Sequence, residues 1–173
     1  MKYSYTDSEM KKLLSTLVIL IDTREQVNKH IFEYFSSKKI VSKKKKLHTA
    51  DYSIMLPANI DLGIMKDSYF PLVIERKNSI DELAQSIKQE RFENELIRSN
   101  GLTFFLLVED TYENLIKGNY RSQYEPKALL ARLKSFEARY GFTTIFMDKR
   151  LSGNFIYHTL YYQAREHLKC KVA

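Results

Sequence analysis

Apolar and polar positions along the chain follow two rhythms: continuous or alternating runs that suit strands, and 3.6-residue spacing that suits helices. A stretch that Asp7 or Ser8 can cap predicts a helix to about Leu17, and Leu17-Val18-Ile19-Leu20-Ile21 then predicts a strand buried on both faces, ending at Asp22. Val27, Ile31, Tyr34 and Phe35 predict a helix from about Glu25 to Ser37, followed by β-rich stretches near Ile40 to Leu47 and Tyr52 to Leu56, and a turn at Pro57-Ala58-Asn59. A further strand, Tyr69 to Lys77, leads into Ser79 and Glu82, spaced as a capping box, and an apolar stripe of Ile80, Leu83, Ala84 and Ile87. A second helical stretch carries Phe92, Leu96 and Ile97. Thr103 to Val108 is another continuous apolar run, Pro126 to about Tyr140 reads as a helix closed by Gly141, Thr143 to Met147 as a short strand, and about Asn154 to Lys169 as a long aromatic-rich helix. Strands alternating with helices predict an α/β sandwich, and the hairpin-like region from Ile40 to Lys77 predicts a mixed central sheet.

Composition adds a bias. The 173 residues are 44% hydrophobic and 28% charged, enough apolar material for one packed core and one expected domain, 1–173. Gly (5) and Pro (3) are too few for a linker, and there is no repeat. No apolar run approaches the length of a membrane span, and Lys2 leads into polar residues without a signal peptide, so an intracellular protein is expected, in cytoplasm, nucleoid or nucleus, with no membrane partner. The sole cysteine, Cys170, excludes disulfides, and as a thiol nucleophile it lies too near the terminus to be organised. His30, His48, His158 and His167 lack ligand spacing, which argues against structural zinc, and no Gly-rich phosphate loop occurs. The formal charge of +7 favours a polyanionic partner. Much of it lies in Lys38, Lys39, Lys43, Lys44, Lys45 and Lys46, which read either as a DNA-contacting patch or as a solvated sheet edge.

Candidate chemistry stands at the strand ends. Asp22, Asp51 and Glu75 each lie at or near one, and alternation puts Glu75 and Lys77 on the same face about 6 to 7 Å apart. Two carboxylates that can hold Mg²⁺ or Mn²⁺, with a lysine able to orient or help deprotonate a water, are what metal-dependent phosphodiester hydrolysis needs. A plain salt bridge is the alternative reading of the Glu-x-Lys fragment alone.

Ile21-Asp22-Thr23-Arg24-Glu25, Ala50-Asp51-Tyr52 and Glu75-Arg76-Lys77-Asn78-Ser79-Ile80-Asp81-Glu82-Leu83, followed by Ser86-Ile87 and Arg91, occur in one order. In that order they resemble the nuclease domain of the XPF family of structure-specific DNA endonucleases, within the restriction-endonuclease-like superfamily. The resemblance covers about residues 17–110 at motif level. It implies a three-layer sandwich with a mixed central sheet flanked by helices, and Mg²⁺ (or Mn²⁺) held by Asp51 and Glu75 with Asp22 or Glu25 as a further acid. It also implies Lys77 acting on the water, and Arg24, Arg76 and Arg91 contacting phosphate or bracing carboxylates. Alternation points Arg76 to the opposite face from Glu75, so the strand end is expected to bend or the arginine to reach round. Asp81 matches the family's last acid, but it also sits where any carboxylate suits a helix start.

Two departures from the family pattern, Ala50 and Glu90, replace glycines and reduce backbone freedom. Larger members carry helix-hairpin-helix modules, for which this chain has no room, so DNA grip is expected from the lysine block, a second copy or a separate DNA-binding partner. Phe155, Tyr157, Tyr161 and Tyr162 suggest a pairing surface, with core packing the expected use of at least half of them. The implied function is metal-dependent cleavage of branched or flapped DNA in repair, recombination or phage DNA processing. The alternatives are a non-catalytic DNA-binding or scaffold domain partnering an active nuclease, and a nuclease acting on RNA.

Overall fold

The computed structural model describes residues 5–170 without the Cys170 side chain, so the reading of that thiol lies outside the described residues. Among the described residues six strands form one sheet in the order β2-β1-β3-β4-β5-β6. They are β1 (Val18–Ile21), β2 (Ser42–Lys44), β3 (Tyr52–Leu56), β4 (Ser68–Lys77), β5 (Thr103–Val108) and β6 (Thr143–Phe146). β3 is antiparallel to both β1 and β4, while β1–β2, β4–β5 and β5–β6 are parallel, so the sheet is mixed.

Strand alternation builds two cores. Ile19, Ile21, Ile54 and Ile74 meet α1 (Asp7–Ser15), α2 (Lys29–Ser37) and α7 (Lys149–Cys170) through Leu13, Phe35 and Leu160. Val73, Leu106 and Val108 meet α3 (Ile80–Ser86), α4 (Glu90–Arg98), α5 (Tyr112–Lys117) and α6 (Pro126–Tyr140) through Leu83, Phe92, Leu115 and Leu133. The result is the expected α/β three-layer arrangement. Among the described residues no helix is long and apolar enough to cross a membrane.

Differences from the sequence reading have local causes. The cap of α1 is Thr6, in a capping box with Glu9, and not Asp7 or Ser8. α2 begins at Lys29, four residues late, because Glu25 and the Val27 carbonyl are drawn to Arg76. β2 lies parallel to β1 at the sheet edge, so only β3 and β4 form a hairpin. α5 was not predicted; Thr111 caps it and Gly118 closes it. α7 begins five residues before Asn154. Phe155, Tyr157 and Tyr161 pack partly against the core, in line with the expected use of at least half of the four aromatics, and Tyr162 is exposed.

Candidate active site

Topology alone brings the strand-end acids together. Ile21, Tyr52 and Ile74 stand in register across β1, β3 and β4, so Asp22 leaves β1, Asp51 enters β3 and Glu75 continues β4 at one end of the sheet. The approach to β3 is tight. Ala50 adopts a left-handed backbone (φ 61°), and the residue after it is locked on both sides. The Asp51 N–H donates to the Ile74 carbonyl (3.1 Å) and its carbonyl accepts from Asp22 N–H (2.7 Å). Asp51 Oδ2 accepts from the Arg76 backbone N–H at 2.8 Å.

Glu75 and Lys77 share the face of Val73, as alternation requires. Both are buried, and the Lys77 ammonium donates to Glu75 Oε1 at 2.6 Å while lying 5.3 Å from the Phe92 ring centroid. Glu75 Oε2 is buried with no hydrogen-bond partner. Burial raises the Glu75 carboxyl above its ordinary range even though Lys77 opposes it. Burial, then repulsion from Glu75 and Glu25, pushes Asp51 well up. Burial disfavours the Lys77 charge, but Glu75 outweighs it and holds the ammonium protonated. These groups line a cleft of about 230 Å³ together with Arg24, Glu25, Arg91 and Glu95.

The remaining expected residues are placed differently. Asp22 is fully buried and does not line the cleft. Its oxygens accept from Arg24 Nε (2.6 Å), the Arg24 backbone N–H (2.8 Å) and the Leu47 N–H (2.6 Å). Burial works to raise its carboxyl, and the bonds from Arg24 and Leu47 overcome that and lower it. The Arg76 guanidinium turns to the α2 side of the sheet, away from Glu75 and Lys77. Its guanidinium is engaged by Glu25 Oε1 (2.6 Å), Glu109 Oε2 (2.8 Å) and the Val27 carbonyl (2.7 Å), and Glu109 also meets His30 Nε2 at 2.6 Å. Arg76 thus braces carboxylates by its side chain, including Glu25 at the cleft wall, and meets Asp51 through its backbone N–H. Asp81 is not in the cleft; it accepts from the backbone N–H groups of Arg121 (2.9 Å) and Ser122 (2.7 Å). Glu90 opens α4 without a left-handed backbone, so that departure causes no strain.

A model of the ERCC4 domain matches residues 21–159, which contains every group just described. The chain belongs to the ERCC4 domain family. Among solved structures the chain is similar to XPF from Aeropyrum pernix, with 20% identity and a TM-score of 0.62 over 89% of this chain and 68% of that one. XPF from Aeropyrum pernix in complex with DNA gives 20% identity and a TM-score of 0.61 over 87% of this chain and 66% of that one. This ERCC4 domain therefore spans about two thirds of the chains it superposes on, and shares their fold. A comparison with curated proteins gives no match.

Within this ERCC4 domain, sequence reasoning missed Glu95. It lines the cleft from α4, its Oε1 takes the Ala50 N–H at 3.3 Å, and its charge acts on Glu75. The available signal was its position one helical turn beyond Arg91, on the same face. Among the described residues no group of three or more Asp, Glu, His or Cys forms a metal-holding cluster. The pair that fits a hard divalent cation is Asp51 and Glu75: two oxygen donors, one atom without a partner, and like-charge repulsion that a cation would relieve.

Proposed function

We propose that this chain is a divalent-metal-dependent endonuclease that hydrolyses phosphodiester bonds in branched or flapped DNA. The observation that carries the reading is the meeting of Asp51, Glu75 and Lys77 in one cleft, with Glu75 Oε2 unpartnered. Membership of the ERCC4 family, the similarity to an XPF solved with DNA, and the +7 charge support it.

Asp51 and Glu75 would hold Mg²⁺ (or Mn²⁺), whose charge, when bound, offsets the negative charge that the phosphorane gains. Lys77, kept protonated by Glu75, donates to and orients the attacking water; a cation that stays charged serves better as an orienter than as a base. Arg91, exposed at the cleft mouth, contacts a flanking phosphate, and Arg24, half of whose side chain is exposed, does the same while its Nε stays on Asp22. Grip beyond the cleft comes from the lysine block, a second copy or a separate DNA-binding protein; sedimentation with DNA distinguishes a dimer from a monomer.

The test compares wild type with Glu75→Gln on flap, fork, four-way junction and plain duplex DNA, with and without Mg²⁺. Glu75→Gln should abolish cleavage and leave DNA affinity within about twofold, since the basic surface is untouched. Undiminished cutting by the variant would eliminate the site. Binding by wild type without cutting of any substrate would favour a scaffold role.

A further inference from the structure

Beside the cleft, on the same face of the sheet, runs a second depression of about 300 Å³ whose lining has the opposite character. Its floor is Leu20, Ser53 and Val73, one wall is Leu102, and the other is the segment Lys45 to Thr49, which crosses over the sheet before turning into β3. That strap is pinned. Lys45 N–H donates to the Ile21 carbonyl (2.9 Å), Leu47 N–H to Asp22 Oδ2 (2.6 Å), and Thr49 Oγ1 to the Glu95 carbonyl (3.2 Å). Tyr69 closes the far end with its side 51% exposed, and the Lys45 ammonium sits 4.0 Å from its ring centroid and donates to its hydroxyl. Lys46 and His48 stand exposed on the rim, and among the described lining residues there is no carboxylate.

We propose that this groove binds an unpaired nucleotide segment of single-stranded DNA leaving the cleft, with a base stacked against Tyr69 and its phosphates on Lys45 and Lys46. The inference rests on the proposed nuclease reading and adds to it a site for the single-stranded arm. Charge decides the occupant: an apolar trough rimmed by cations and free of acids suits a ligand with an apolar face and an anionic backbone. Stacking decides its form. In a duplex the faces of the bases are hidden by their neighbours, and only an unpaired base can offer one to a half-exposed tyrosine. Position decides its relation to cutting. Val73 precedes Glu75 by two residues on the same face, so the groove begins about 7 Å along the strand from the cleft, and Tyr69, which the bulge in β4 places opposite Met55, lies about 14 Å away, a span a strand crosses in a few nucleotides.

The experiment measures binding of the full chain in EDTA, where no cutting intervenes, to a labelled oligo-dT and to a blunt duplex. Tyr69→Ala should weaken oligo-dT binding by about tenfold and duplex binding by less than about twofold, while Tyr69→Phe stays within about twofold of wild type on both. Iododeoxyuridine in the oligonucleotide should photocrosslink to Tyr69. Unchanged oligo-dT affinity in Tyr69→Ala, equal losses on both probes, or crosslinks confined to other residues would overturn the groove while leaving the nuclease reading in place. Failure of wild type to bind oligo-dT would likewise overturn the groove, and failure to bind the flap and fork substrates as well would overturn the nuclease reading itself.

Discussion

At the residue scale, the site depends on two side chains that do no chemistry. Ala50 occupies a left-handed conformation that costs an L-residue about 1 to 2 kcal/mol, because the turn from the strap into β3 must present Asp51 to the cleft. Ala50→Gly relieves that strain but gives about 0.5 to 1 kcal/mol back in unfolded-chain entropy, so a net gain of up to about 1.5 kcal/mol is expected. Ala50→Val, branched where branching is least tolerated, should lose stability, giving the urea-midpoint order Gly, Ala, Val. Arg76 is the other. Removing it as Arg76→Met strands Glu25 and Glu109 without their shared cation and should cost about 3 to 5 kcal/mol in chemical denaturation. The shared face of Glu75 and Lys77 is legible in the sequence because strand alternation is local and exact in period, and Asp51 is legible only from its place at a strand end and from the motif it shares with the family. The partners of Arg76 are not, since Glu25 and Glu109 lie 51 and 33 positions away and only the packed sheet brings them together.

At the element scale, local signals place the strands and the capped helices, and tertiary contacts move the rest. The apolar runs give β3 and β5 at their full extent, and Pro126 and Gly141 bracket α6. The start of α7 escapes because Gly153 disfavours helix by itself; the structure keeps it there because a Cβ would stand 2.7 Å from Tyr34 Cβ on α2. Gly153→Ala, a gain in helix propensity, should therefore destabilise by about 1 to 3 kcal/mol, and thermal melts would reveal the sign. The loop before α6 hangs on α3 in the same manner. Burial raises the Asp81 carboxyl, and the bonds from Ser122 and Arg121 outweigh it and lower it, so its contribution is present above the unfolded value near 4 and lost as pH falls through the folded value. Asp81→Ala should be about 1 to 2 kcal/mol less stable than wild type at neutral pH, with the gap closing below about pH 4.

At the scale of the whole molecule, what reads in the sequence as one lysine block is divided by the sheet. Lys38 and Lys39 stand with Leu14, Leu17 and Val41 where β1 begins, the end remote from Asp22. Lys43 and Lys44 sit on the edge strand in register with Leu20 and Ile21, whose side chains face opposite layers, and Lys44 accordingly turns to Phe32 on the α2 side, 5.9 Å from its ring centroid. Lys43, Lys45 and Lys46 remain on the face of the cleft and the groove. If DNA lies along that face, Lys43→Ser and Lys46→Ser should each reduce the slope of log affinity against log salt by about 0.7 to 0.9, and Lys44→Ser should leave it unchanged. Titrations of duplex and branched DNA over a range of salt make the comparison. Equal losses at Lys43, Lys44 and Lys46 would carry the DNA over the β2 edge instead of across the cleft face, and no loss at any of them would leave the lysines as a solvated guard on an open strand edge.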